Sequence, residues 1–302
     1  MTEQEGIEMD KRIGWIGTGV MGGAMCRHIM QAGYAVSVYN RSEVKTRDLV
    51  KGGATFCSSP KAVAENSEII FTIVGFPRDV ESVILGENGV VEGLSEGSVV
   101  VDMTTSEPSL AKRIAEATVS RGAAALDAPV SGGDVGARDA TLAIMVGGEK
   151  KTFDALGPLF KLLGSKIAYM GSAGAGQHTK MSNQILIAST MIGVVESLLY
   201  AHKSGLDQNE VIEVIGSGAA ASWAINNLGR RIIKGDFEPG FYIKHFVKDM
   251  GIALDEAKRM NLSLPGLALA NQFYVAALAV GWEDLGTQGL YRVLARMNDM
   301  DV

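Results

Sequence analysis

The sequence predicts an α/β fold with a doubly wound, mostly parallel sheet, followed by a second domain built only of helices. Three observations predict it. From Arg12 to about Met170, short runs rich in β-branched residues alternate with amphipathic ones. A cluster of glycines falls between the first such run and the first helix. After Gly176 the alternation stops, and helical periodicity alone continues to the end.

Strands are expected at residues 12–16, 34–39, 68–74, 98–103, 124–130, 141–146 and 166–170, each a short apolar run bounded by turn residues. Helices are expected between them at 20–32, 43–51, 77–85, 108–121 and 150–163, two of them opening on Pro77 and Pro108, a residue favoured in a first helical turn. Residues 178–203 read as one long helix with apolar residues almost all the way round, the pattern of a buried element. Further helices follow at 208–215, 222–233, 243–260 and 267–280. The expected organisation is a flexible tail at 1–10, a nucleotide-binding domain at 11–173 and an all-helical domain at 174–302.

Composition narrows the function. The 302 residues are 47% hydrophobic and carry a net charge of −6 with no basic stripe, which argues against a nucleic-acid partner. The only two cysteines, Cys26 and Cys57, have neither metal-ligand spacing nor a disulfide framework, so no metal and a reducing compartment are expected. The acidic start MTEQEGIEMDK has no apolar core of a signal peptide, and the apolar stretches are interrupted by polar residues or glycine. The expectation is a cytoplasmic protein without a membrane partner. An apolar helical domain argues for a homo-oligomer, a dimer or tetramer.

Gly17, Gly19 and Gly22 form G-x-G-x-x-G directly after the first strand. In that context Gly17 makes the tight turn, Gly19 admits a pyrophosphate, Gly22 lets helix and strand pack, and Val20 and Met21 begin the helix whose free amides face the phosphates. The domain is thus Rossmann-type. The next strand ends in Asn40-Arg41-Ser42, where an acid would accept from the ribose of NAD. A basic residue there favours the 2′-phosphate, so NADP is expected, with NAD possible. The alternative for Arg41 is a solvated surface residue.

Three stretches then carry a resemblance: Asp127-Ala-Pro-Val-Ser131-Gly132-Gly133, Gly171-Ser-Ala-Gly-Ala-Gly-Gln-His-Thr-Lys180, and the Gly17 turn with Met21 and Met25. Together they resemble the substrate, catalytic and cofactor signatures of the β-hydroxyacid dehydrogenases, which include 3-hydroxyisobutyrate dehydrogenase, tartronate semialdehyde reductase and glyoxylate/succinic semialdehyde reductases. The resemblance spans nearly the whole chain from Lys11. It implies that Lys180 is the general acid in reduction and the general base in oxidation. Asn183, three residues on and one turn along the same face, is the favoured residue to orient the lysine, although some relatives place that asparagine one residue later, where this chain has Gln184, and either amide could serve.

The same resemblance makes Ser131, Gly132 and Gly133 the holders of a substrate carboxylate and sets Thr105 beside nicotinamide and substrate. It gives Lys248, in a Lys-Asp pair, a reach to the cofactor. Trp223 lies where relatives vary their substrate-facing residues, and Val74-Gly75-Phe76 follows a strand end where a cofactor is covered. Helix-cap readings compete for Thr105 and Phe76, and a core reading for Trp223. Ala140 stands where relatives usually carry glycine, which suggests a locally different turn. Of the four histidines only His178 is near the motif, two residues from Lys180 and so on another face.

The expected function is hydride transfer between NADP(H) and a small, carboxylate-bearing β-hydroxy acid or semialdehyde. The alternatives are a non-catalytic NADP-binding module, an imine reductase, which generally lacks the lysine, and a decarboxylase resembling 6-phosphogluconate dehydrogenase, for which the chain is short.

Overall fold

The computed structural model describes residues 11–300, so the tail expected at 1–10 lies outside the described residues. The chain forms two compact units that divide between Lys180 and Met181, inside one long helix.

In the first unit nine strands make one sheet: β1 (Ile13–Ile16), β2 (Val36–Tyr39), β3 (Thr55–Phe56), β4 (Ile69–Thr72), β5 (Val99–Asp102), β6 (Ala124–Asp127), β7 (Val130–Ser131), β8 (Leu142–Gly148) and β9 (Gly164–Gly171). The order is β3-β2-β1-β4-β5-β6-β8-β7, with β9 paired to β8. Pairing is parallel from β3 through β6, and antiparallel where β8 meets β6 and β7. The helices are α1 (Val20–Gln31), α2 (Arg47–Lys51) after a 3₁₀ turn, α3 (Pro60–Glu65), α4 (Pro77–Leu85), α5 (Val90–Gly93), α6 (Pro108–Val119), α7 (Gly133–Arg138), α8 (Lys150–Ala155) and α9 (Gly157–Lys161).

The central strands are apolar on both faces because helices cover both. Trp15, Phe71 and Val101 point into one core layer, and Ile16, Ile70 and Val100 into the other. Trp15 stacks on Phe71 with centroids 5.3 Å apart.

Two predicted elements break at proline. The strand expected at 124–130 is two strands, because Pro129 has no N–H for the ladder. The helix expected at 150–163 is α8 and α9, because Pro158 cannot continue α8 and begins a new turn instead. Ala140 sits in a turn that an L-residue rarely adopts. Its φ is 53°, so the alanine itself holds the left-handed conformation that glycine adopts without steric cost.

The long helix α10 (Ala175–Lys203) carries into the second unit. There it is joined by α11 (Gln208–Ile215), a π-helical segment (Ala224–Gly229) running into α12 (Arg230–Ile233), α13 (Ile243–Arg259), α14 (Pro265–Ala279) and α15 (Leu290–Met297). Met191, Val195 and Leu198 of α10 pack in one core with Phe246, Met250, Tyr274 and Leu294.

Contrary to expectation, α10 is not buried all round. Ser182, Leu186, Ser189, Gly193, Glu196 and Tyr200 form an exposed stripe at helical spacing, with Leu186 at 69% and Tyr200 at 75% exposure. The small and polar members of that stripe are what an outward face requires. By length and composition α10 is also apolar enough to cross a membrane, contrary to the reading of its interruptions. Its other face lies in the second unit's core, which accounts for the apolarity.

Candidate active site

The sheet order brings most of the expected residues to one edge of the first unit. The Gly17 turn, Asn40–Ser42, Val74–Phe76, Thr104–Thr105 and Ser131–Gly133 follow the carboxyl ends of β1, β2, β4, β5 and, through β7, β6. The chain crosses to opposite sides of β1, and a crevice opens there in sheets of this kind.

At the turn itself sterics dictate glycine. Gly17 has φ 95°, and a Cβ there would lie 2.0 Å from the Ile73 carbonyl oxygen. One on Gly22 would lie 2.1 Å from the Gly17 oxygen. A Cβ on Gly19, by contrast, meets nothing within 4 Å. Gly19 is the N-cap of α1 and provides no side-chain cap, so the first amides of the helix face that open side. Val20 is exposed and Met21 half-buried on the opening turn. This open side could hold a pyrophosphate, with the glycines, Val20 and Met21 around it.

Asn40 is tied into its own loop. Its Oδ1 accepts the Thr18 N–H at 3.1 Å, and its Nδ2 donates to the Ser42 carbonyl at 3.0 Å. Arg41 reaches out beside it, its side chain 88% exposed, with Nη1 3.3 Å from Asp79 Oδ1. The other oxygen of Asp79 accepts the Phe76 N–H at 3.2 Å and caps α4. Phe76 is thus both the N-cap residue and a half-buried ring at the strand end, with Val74 and Gly75 beside it.

The Val74 N–H donates to Thr104 Oγ1 at 3.0 Å, tying the β4 and β5 ends together. Thr105 is half-buried and is not the cap of α6, whose N-cap is Glu107. Ser131 is half-buried on β7, opposite Ala143, and Gly132 and Gly133 turn into α7 with φ of 134° and 64°.

Lys180 lies in the second turn of α10 and is 7% exposed. Asn183 and Gln184 follow on the same helix. Asn183 Nδ2 donates to Gln184 Oε1 at 2.7 Å, and Gln184 Nε2 donates to Asp249 Oδ2 at 2.6 Å. Lys248 Nζ stands 3.0 Å from Asp249 Oδ1 as an ion pair. The second unit thereby joins Asn183, Gln184, Asp249 and Lys248 in one chain of polar contacts. Trp223 is outside that chain, 69% exposed at the start of the π-helical segment.

Sequence reasoning gave no role to two buried carboxylates. Asp102 and Asp127 end adjacent parallel strands and are register partners. Burial pushes each carboxyl up to about 6, against the hydrogen bonds that both receive. Asp102 Oδ1 accepts from Thr72 Oγ1 at 2.7 Å and from the Thr104 N–H at 3.1 Å. The available signal is an aspartate one residue before the end of the strand expected at 98–103 and another inside the next, at 124–130.

Comparison with known proteins places this geometry. Residues 12–171 match the family model described as the NAD-binding domain of 6-phosphogluconate dehydrogenase, and residues 174–294 match the one described as NAD-binding of NADP-dependent 3-hydroxyisobutyrate dehydrogenase. The chain is 53% identical over 292 residues to a protein of Arabidopsis thaliana named probable 3-hydroxyisobutyrate dehydrogenase-like 1, mitochondrial, covering 96% of this chain and 87% of that one. It is 38% identical over 286 residues to the 2-hydroxy-3-oxopropionate reductase of Escherichia coli, covering 95% and 98%. Among solved structures, 3-hydroxyisobutyrate dehydrogenase of Mycobacterium tuberculosis with L-serine superposes with a TM-score of 0.86 at 27% identity, covering 94% and 99%. The glycine turn, the lysine helix and these matches agree: the chain belongs to the β-hydroxyacid dehydrogenase family and is an NAD(P)-dependent dehydrogenase acting on CH–OH groups.

Proposed function

We propose that the protein uses NADPH to reduce a short semialdehyde or 2-oxo acid bearing a carboxylate, of the 3-hydroxyisobutyrate, tartronate semialdehyde, glyoxylate or succinic semialdehyde class, and runs the reverse oxidation with NADP. The observation that carries this reading is Lys180, an amine buried in the opening turns of α10. Burying an amine costs free energy, and buried ionisable groups cluster at functional sites. When bound, the nicotinamide supplies and accepts the hydride. Lys180 Nζ gives its proton to the carbonyl oxygen in reduction and takes it from the hydroxyl in oxidation.

Ser131 Oγ and the amides of Gly132 and Gly133 hold the carboxylate. Asn183 is the better candidate to orient the lysine, since its Nδ2 serves Gln184 and leaves Oδ1 to accept. Thr105 and Phe76 border the nicotinamide, Lys248 keeps its family role toward the cofactor, and Trp223 shapes substrate choice. Arg41 and Ser42 favour NADP, a reading supported by the NADP-dependent family whose model matches residues 174–294. A homo-oligomer in the cytoplasm completes the proposal. Exposed Leu262, Leu269, Val275 and Val280, in and around α14, support association.

The test is a screen with NADPH and NADH against glyoxylate and the succinic, tartronate and methylmalonate semialdehydes, and with NADP against 3-hydroxyisobutyrate and serine. At least one carboxylate-bearing carbonyl compound should be reduced with NADPH preferred. Turnover only of carbonyl or imine compounds lacking a carboxylate contradicts the proposal.

A further inference from the structure

The stretch Gly171–Lys180 has a task that its resemblance to a catalytic motif does not describe. Asp127, 4% exposed at the end of β6, takes one backbone amide of this stretch on each carboxylate oxygen. Oδ1 accepts the N–H of Gly174 at 2.7 Å, and Oδ2 accepts the N–H of Gln177 at 2.8 Å. Both amides belong to the opening of α10, where a helix has no internal partners for its donors.

Glycine makes the approach possible. A Cβ on Gly176 would stand 2.4 Å from the Met145 carbonyl oxygen and 2.9 Å from Asp127 Oδ2. One on Gly147 of β8 would stand 2.6 Å from Asp127 Oδ1 and 2.7 Å from the Gly176 nitrogen.

The Gln177 side chain adds a second tie to the same turn. Its Oε1 accepts the Ser106 N–H at 2.9 Å, and its Nε2 donates to the Thr104 carbonyl at 2.7 Å. The adjoining cavity, lined by Asp102 and Asp127, holds about 10 Å³, no more than one water. The helix end is therefore clamped by four buried hydrogen bonds.

Lys180 comes three residues after Gln177, less than one helical turn from the clamp. In the other direction, three residues separate Asp127 from Ser131, which holds the carboxylate in the reading above. We propose that Asp127 is a positioning residue for proton transfer: by holding the first turn of α10 against the end of β6, it fixes Lys180 relative to the substrate loop. This rests on Lys180 as the proton donor. Asparagine at this position keeps one acceptor but turns an NH₂ group toward a backbone donor, so the helix end must shift. Displacement of a reacting group by about 1 Å costs on the order of 100-fold in rate.

The test is a double-mutant cycle of Asp127→Asn and Lys180→Ala, reading kcat on the best substrate and Kd for NADPH. Asp127→Asn alone should lower kcat by roughly 10- to 100-fold and leave NADPH affinity within about threefold. In the Lys180→Ala background the same change should lower the residual kcat by less than about twofold, because its effect runs through the lysine.

Equal losses in both backgrounds, or an Asp127→Asn enzyme with wild-type kcat beside an inactive Lys180→Ala, overturn the positioning role alone. A fully active Lys180→Ala removes the lysine reading and this inference with it. Should Asp127→Asn not fold, Gln177→Met enters the same cycle, since it loses both side-chain ties and keeps the carboxylate. It should cost a few-fold in kcat with the lysine and nothing without it, and additive losses overturn the inference.

Discussion

Replacing Arg41 by alanine separates what this side chain does for the fold from what it does for the cofactor. In the fold it makes one contact, Nη1 to Asp79 Oδ1 at 3.3 Å, from a side chain 88% exposed. A pair so exposed and singly bonded contributes well under about 1 kcal/mol once solvent screening is counted. Asp79 keeps its hydrogen bond to the Phe76 amide, so α4 stays capped. The melting temperature should move by less than about 2 °C. Toward a 2′-phosphate the same guanidinium makes charge-assisted bonds, and losing them costs roughly 1.5 to 3 kcal/mol, a factor of about ten to a hundred in affinity. The assay is Kd for NADPH and NADH by nucleotide fluorescence at one fixed ionic strength, since salt screens the contact. NADPH should weaken and NADH should not. Equal weakening of both, or a wild-type protein that prefers NADH, would refute the reasoning.

Three further predictions follow from the site and its surroundings. Ser131→Ala should raise KM for the carboxylate substrate by an amount equivalent to about 1 to 3 kcal/mol with kcat little changed, and an unchanged KM in steady-state assays places the carboxylate elsewhere. Ala140→Gly should stabilise the protein by roughly 0.5 to 1 kcal/mol in urea unfolding, because alanine at φ 53° carries a left-handed strain that glycine lacks; destabilisation contradicts this. Asp102 is raised from 3.8 to about 6 in the folded protein, so between those values the folded state binds more protons than the unfolded one and this group's contribution to stability falls as pH rises. Asp102→Asn keeps an acceptor for Thr72 and Thr104 and cannot titrate, so it should gain stability relative to wild type from about pH 4 to 6 and hold the gain above; parallel urea midpoints across that range contradict the account.

What could be read in the sequence was what is local. The Gly17 and Gly22 positions, the alternation that gives a parallel sheet and the helices opening on Pro77 and Pro108 all follow from neighbouring residues, and the structure contains each of them. The short elements β3, α3, α5 and α7 span two to six residues, too few to show a period, and two further kinds of miss have other sources. Pro129 and Pro158 were present in the sequence but were outweighed by the apolar runs around them. The polar ties depend on partners far along the chain. Asp127 meets amides 47 and 50 residues away, and Gln184 meets Asp249 across 65 residues. The Asn40 carboxamide accepts from the Thr18 amide, 22 residues before it, a tie that the spacing of the two residues does not announce. No periodicity records such pairings, since they arise only when elements distant in the chain pack together.

Lys180→Ala, assayed for kcat and for NADPH binding in the same preparation, tests the central claim most directly. A proton donor that does not hold the cofactor should cost at least about 100-fold in kcat when removed, with Kd for NADPH nearly unchanged. Lys180→Arg should fail as well, because a guanidinium keeps its proton at working pH. A Lys180→Ala enzyme that keeps more than about a tenth of the wild-type kcat would contradict the account, since general acid catalysis of this kind is worth ~100-fold or more.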